Sequence, residues 1–232
     1  MMQTVDISKC IEGTFVRELK NRFLCEVLID GVSTVCYVPS SCHLGNFIEL
    51  KGKRVFLFPT ITKNARTPYS LFAIPNNKQL ILLNTSAAND AVGNSLKTRK
   101  ASFLGSRKQI NREIYLDDYK ADFFIRDTNT IIEVKSVLSL DKQAVFPTVY
   151  SERTIKQLKQ LNTLMKRGYN AHYVIVSLNP SVKTVLLSPQ TEFWQYFNEC
   201  LTQGMNCSAF TCKIKDMRIS LDRRIPIENI YL

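Results

Sequence analysis

No apolar run in this chain reaches the roughly 18 residues that a membrane-spanning helix needs. Its first residues, MMQTVDISKC, carry neither a basic flank nor an apolar segment of signal-peptide length. The expected location is therefore cytoplasmic, with no membrane partner. Only two histidines occur in 232 residues, which leaves little support for a Ser-His or Cys-His nucleophile. The seven cysteines (10, 25, 36, 42, 200, 207 and 212) are odd in number and include no C-x-x-C pair. Without a secretion signal they are expected to be reduced thiols rather than a disulfide framework. Cys36, Cys42 and His43 sketch a zinc site, but a fourth ligand at a sensible spacing is missing. Internal repeats and low-complexity tracts are also lacking.

Acidic residues are in deficit too. Lys and Arg total 31 against 20 Asp and Glu, a formal charge of +11. Such an excess suits a polyanionic partner, DNA or RNA. An anionic membrane is less suited, because no basic amphipathic terminal helix is evident.

Residues 14–83 read mostly as strands. TFVRELK (14–20) and RFLCEVLID (22–30) lead through an Asp30-Gly31 turn into VSTVCYV (32–38). KRVFLF (53–58) and QLILLN (79–84) follow, separated by the turn-prone stretches 39–46 and 59–70. Five or so short strands suggest a small barrel. The oligonucleotide-binding (OB) barrel is the natural candidate, and an SH3-like barrel has the same appearance at this level.

From Asn84 the texture changes. Asn84, Thr85 and Ser86 are N-cap candidates before small, helix-compatible residues. Lys97, Arg99, Lys100, Arg107, Lys108 and Arg112 then form a basic stretch with no acid, interleaved with Phe103, Gly105 and Ser106. An unmixed run of this length points to phosphate contacts rather than a merely solvated face. Between the N-cap Ser151 and the stop Gly168, Ile155, Leu158, Leu161, Leu164 and Met165 recur at helical spacing, a stripe that reads as core packing. A buried strand (170–179), another helix (191–204) and an alternating final segment (208–227) complete a mixed α/β pattern. The expected division is an OB-like barrel at 1–83 and an α/β domain at 84–232.

The chemistry concentrates in ADFFIRDTNTIIEVKS, residues 121–136. Two apolar runs flank the turn-prone tip Arg126-Asp127-Thr128-Asn129, a hairpin pattern. A symmetric tip pairs Ile125 with Thr130 and brings Asp122 opposite Glu133. Opposed like charges on neighbouring strands repel, and a hard divalent cation between them reverses the sign. Lys135 leans from the same face as Glu133. Hydrolysis of a phosphodiester needs charge neutralisation, an activated water and help for the leaving oxygen. Two acids and a lysine on one patch make a candidate phosphoryl-transfer site, with Mg²⁺ (or Mn²⁺) on Asp122 and Glu133 and with Lys135 as the third catalytic residue. Glu113 is a more remote choice.

The hairpin with Asp122-Phe123, then Glu133-Val-Lys-Ser-Val137, Phe146-Pro147 and Ser151-Glu-Arg153 before a lysine-containing helix, resembles the SfsA family, the sugar fermentation stimulation protein homologues also called DNA/RNA nucleases. Arg22-Phe-Leu24, Thr67-Pro-Tyr69 and Asn84-Thr85 extend the likeness over nearly the whole chain. The resemblance implies an N-terminal OB-like domain, a PD-(D/E)xK nuclease-like domain and an association with DNA. It sets Asp122, Glu133 and Lys135 on the three motif positions, and Arg153 and Lys156 on basic positions beside the site. The chain departs from the family pattern at Thr148, usually Asp; at Gln157, usually His; at Asn94, for the acid of the first nuclease helix; and at Pro39-Ser-Ser-Cys42, for a Pro-Asn-Thr-Gly loop. The leading expectation is a metal-dependent nuclease. The alternative is a non-catalytic DNA-binding protein or regulator on a nuclease fold.

Overall fold

Alternating apolar side chains build the first sheet. A computed structural model of the chain describes residues 5–40, 43–61, 64–189 and 191–229. β1 (Ile11–Glu18) runs antiparallel to β2 (Leu24–Ile29), in which Cys25, Val27 and Ile29 point inward. Asp30 and Gly31, at φ of 50° and 80°, turn β2 into β3 (Val32–Tyr37). Two successive positive φ values are what a tight hairpin turn demands, and Asp-Gly meets them at least cost. β4 (Arg54–Pro59) pairs with β1 on one side and with β5 (Tyr69–Asn76) on the other. A parallel contact between Tyr37 and Ser70 joins β3 to β5 and closes the circuit β1-β2-β3-β5-β4. That circuit is a five-stranded OB-type barrel, which decides between the two barrels the sequence left open. β6 (Gln79–Leu82) adds a hairpin partner to β5. The closing strand β5 begins inside the stretch read as turn-forming.

The second half opens with α1 (Ala87–Ser95), followed by 3₁₀ turns over Arg99–Leu104. β7 (Ile110–Leu116), β8 (Tyr119–Ile125) and β9 (Thr130–Val137) form an antiparallel meander. After β10 (Gln143–Phe146), α2 (Glu152–Lys166) crosses over to β11 (Asn170–Ser177). β12 (Thr184–Leu187) and α3 (Glu192–Thr202) lead to the hairpin of β13 (Asn206–Lys215) and β14 (Arg218–Ile225), and β15 (Ile227–Asn229) ends the described chain. The main sheet has the order β14-β13-β11-β9-β8-β7, with β9, β11 and β13 parallel, and β10, β12 and β15 make a small separate sheet.

Helix boundaries follow local chemistry. Ser151 caps α2 by accepting the Thr154 N–H at 3.2 Å, and Gly168, at φ 95°, terminates it. The apolar stripe of α2 is buried. The sheet is covered on both faces. Ile132, Val134, Val174 and Val176 pack with α1 and with the barrel residues Phe15, Val27 and Leu57 in one continuous core. Ile131, Tyr173 and Ile175 pack on the other face with α2 and α3. Among the described residues, no helix is long and apolar enough to cross a membrane.

Candidate active site

The β8–β9 hairpin adopts the symmetric register, with Ile125 opposite Thr130, Phe124 opposite Ile131 and Phe123 opposite Ile132. Asn129 at φ 49° makes the turn possible, a conformation Asn tolerates better than most residues. The backbone ladder ends at Phe123. One step outward, Asp122 replaces it with its side chain. Its Oδ2 accepts the Val134 backbone N–H at 2.8 Å, and its Oδ1 accepts Asn89 Nδ2 at 2.7 Å. On the opposite edge of β8, Glu113 sits at φ 52° between the pairs Arg112–Phe123 and Ile114–Ala121. β8 also changes face here: Phe123 packs toward α1, whereas Ala121 and Tyr119 pack toward α2 and α3. Asp122 stands at this twist, where a carboxylate fits between parted strands.

Glu133 is only 2% exposed. Lys135 Nζ donates to its Oε1 at 2.6 Å and to Gln157 Oε1 at 2.7 Å. The Tyr119 hydroxyl donates to Glu133 Oε2. Burial, followed by the Glu133 charge, raises Asp122 to about 6. The Val134 N–H, Lys135 and Asn89 oppose that rise without cancelling it. Burial, then Glu133, also pushes the Tyr119 and Tyr173 hydroxyls well above their ordinary range, so Tyr119 stays a neutral donor. The Tyr173 hydroxyl is buried with no hydrogen-bond partner among the described residues.

These groups open onto a cleft of about 590 Å³ between barrel, sheet and α2. The barrel contributes Arg22 and Phe47, the start of α1 contributes Ser86 and Asn89, and α2 contributes Arg153 and Gln157. The structure thus brings Asp122, Glu133, Lys135 and Arg153 together. Lys156 is exposed on α2 and is not part of the cleft wall. The basic stretch is not part of the wall either. Arg107 folds back onto the carbonyls of Leu96 at 2.6 Å and Gly105, Lys100 donates to the Asp222 carbonyl, and Arg112 pairs with Asp90 at 3.0 Å. Lys97, Arg99 and Lys108 are exposed.

Asn94 donates to the Ile219 carbonyl at 2.7 Å, whereas Asn89 is the α1 residue that hydrogen-bonds Asp122. Glu113 pairs with Lys120 at 2.7 Å on the surface. Thr148 lines the cleft and donates its hydroxyl to the Val145 carbonyl at 2.9 Å. Of the zinc sketch, Cys42 lies outside the described residues, Cys36 is buried with its thiol pushed up to about 11, and His43 lies 3.6 Å from Glu18. Residues 41 and 42 of the Pro39–Cys42 loop also lie outside the described residues. Among the described residues there is no group of three or more His, Cys, Asp or Glu that could hold a metal. Sequence reasoning missed Asn89, Tyr119 and Arg22.

Fold and site define an OB-type barrel joined to a mixed α/β domain, with Asp122, Glu133 and Lys135 meeting at the cleft between them. The chain matches two family models, the SfsA N-terminal OB domain over residues 18–83 and the sugar fermentation stimulation protein RE domain over residues 86–218. It belongs to the SfsA family. It is 29% identical over 222 residues to a sugar fermentation stimulation protein homolog of Caldanaerobacter subterraneus subsp. tengcongensis, covering 94% of this chain and 96% of that one. A homolog from Pseudoalteromonas atlantica is 26% identical at the same coverage. The structure of Pyrococcus furiosus SfsA in complex with Ca²⁺ superposes with a TM-score of 0.81 at 18% identity, covering 98% of this chain and 99% of that one.

Proposed function

We propose that this protein hydrolyses phosphodiester bonds of DNA or RNA at the Asp122–Glu133–Lys135 site, with the help of a divalent cation. The observation that carries the reading is the pairing of two desolvated carboxylates on parted strands, one of them raised to about 6 partly by the other's charge. That arrangement is costly without a cation and relaxed by one. The donor set is all oxygen, as Mg²⁺ and Mn²⁺ prefer. Asp122 and Glu133 would hold the ion. The Val134 carbonyl is a third donor, since a residue's N–H and C=O leave an extended strand on the same edge. The neighbour solved with Ca²⁺ supports a divalent ion of this class here. When bound, such a cation neutralises phosphoryl charge and acidifies a water.

The chain's own groups divide the remaining work. Lys135, held between Glu133 and Gln157, orients the attacking water and donates to a phosphoryl oxygen. Arg153 and Arg22 supply positive charge at the cleft wall for the flanking phosphates. Asn89 and Tyr119 fix the two carboxylates in place.

Cleavage of labelled DNA and RNA with Mg²⁺ or Mn²⁺ tests the reading. Lys135→Ala should lower the single-turnover rate by roughly a hundredfold or more while binding persists, in line with loss of a positioned proton-handling group. Equal cleavage by both proteins would mark a contaminant and end the proposal. One observation favours the second reading, a binding protein without activity. The cleft offers only two carboxylates and no histidine among the described residues. Metal-independent binding with no cleavage under any divalent ion would select it.

A further inference from the structure

We infer that the substrate is a single strand, whose bases stack on an aromatic tile of the barrel before the chain enters the cleft. This rests on the nucleic-acid reading above and adds the strandedness. The tile is Phe23 and Tyr37, two of the large apolar side chains that the fold leaves in solvent, at 38% and 41% exposure. Their rings lie nearly parallel, 17° apart, with centroids separated by 6.4 Å. The Arg22 guanidinium stands 4.7 Å from the Phe23 ring centre and also lines the carboxylate cleft. One arginine therefore touches both the tile and the site.

The chemistry matches a single strand at each point. Unpaired bases offer their faces to aromatic rings whatever their sequence, whereas a duplex hides those faces. Arginine adds cation–π contact and a charge for the phosphate between stacked bases. Lys20 and Arg22 are exposed in the β1–β2 connection and form no ion pair among the described residues. Phe23 directly precedes β2 and Tyr37 ends β3, at the end of these strands away from the Asp30–Gly31 turn. The strand 2–3 face and the first loop are the surface that OB barrels use for oligonucleotides. Packing does not account for it, because neither ring belongs to either core.

The test is fluorescence-anisotropy binding of the full chain in EDTA. The probes are single-stranded DNA and RNA oligonucleotides, a blunt DNA duplex, and an oligonucleotide carrying consecutive abasic positions. Wild type should prefer the single strands. Phe23→Ala/Tyr37→Ala should weaken them by about tenfold or more, the scale of losing a base stack, and should leave duplex and abasic binding nearly unchanged. Phe23→Trp should retain single-strand affinity, which separates loss of stacking from damage to the barrel. A uniform loss on every probe, no loss on any, or no preference in the wild type overturns the inference. Cleavage by the wild type and Lys135→Ala is scored in parallel with Mg²⁺ present. Selective stacking without cleavage leaves the tile and removes the nuclease. Cleavage with unaltered strand preference in the double variant removes the tile alone.

Discussion

Asp122 is the carboxyl of the candidate site whose ionisation the fold perturbs. Its proton is held to about 6 in the metal-free fold, against an ordinary value of 3.8. A carboxyl raised in this way favours folding most when protonated. Its contribution is complete below the unfolded value and is lost as pH rises through the folded one. In EDTA, the stability of wild type relative to Asp122→Asn should therefore fall by about 2 kcal/mol between pH 4.5 and 7.5. If the proposed cation binds there, saturating Mg²⁺ should remove most of that difference in the wild type, because it would take the proton's place. Urea denaturation across that range measures both effects, and a flat difference would mean that Asp122 is solvated. The facing of Asp122 and Glu133 was legible in the sequence because a symmetric hairpin tip fixes which residues oppose each other, and strand alternation set Lys135 beside Glu133. Asn89 and Tyr119 were not. Asn89 arrives from a helix 33 positions away. Tyr119 reaches Glu133 because β8 changes face at Asp122, and simple alternation along the strand does not reveal that change.

Among the elements, α2 connects packing to the site most directly. Its buried stripe holds it on the sheet, while Arg153 and Gln157 face the cleft from its first turns. The Ser151 side chain, which accepts the Thr154 N–H, fixes the start of those turns. Ser151→Ala should cost about 1 kcal/mol of global stability. It should also raise the apparent substrate KM more than it lowers kcat, because it loosens Arg153 more than the carboxylates. Steady-state kinetics beside a denaturation curve distinguish that outcome from a purely structural loss. A capping residue, an apolar stripe and a terminal glycine make a helix such as α2 readable in the sequence, and turn-forming residues do the same for Asp30–Gly31 and 126–129. β5 is not readable in this way, because Pro68 and Pro75 bracket its buried run Leu71–Ile74 and imitate a loop. Only the pairing with β3 and β4 makes it a strand. β12 and β15 are short, and their pairings, β12 with β10 and β15 with β12, are set by tertiary context.

For the whole molecule, the governing fact is a core that does not stop at the barrel. Phe15, Val27 and Leu57 belong to the same apolar cluster as Val174, Phe210 and Leu221. Backbone bonds cross the same junction, Leu82 N–H to the Leu178 carbonyl at 3.0 Å and Val5 N–H to the Met217 carbonyl at 2.7 Å. Barrel and α/β layer should therefore unfold in a single transition. Far-ultraviolet circular dichroism and the fluorescence of Trp194, which is packed against the second core, should give coincident curves. An isolated 1–83 fragment, deprived of that shared surface, should lack a cooperative transition. Two resolved transitions, or a stably folded fragment, would contradict the shared core. The shared core also gives the cleft rigid walls, since barrel and sheet cannot part without exposing apolar surface.

The bond from the Val134 amide to Asp122 has one more consequence. Most amides of a central strand answer to a neighbouring carbonyl, whose charge does not change. This one answers to a carboxylate that titrates and that is proposed to hold a cation. Its proton resonance therefore follows the ionisation of Asp122, moving with a midpoint near 6 in the metal-free protein. A bound ion would hold that resonance at one position across the same pH range. The fold has set a spectroscopic probe into the main chain of the site, readable without altering a single side chain.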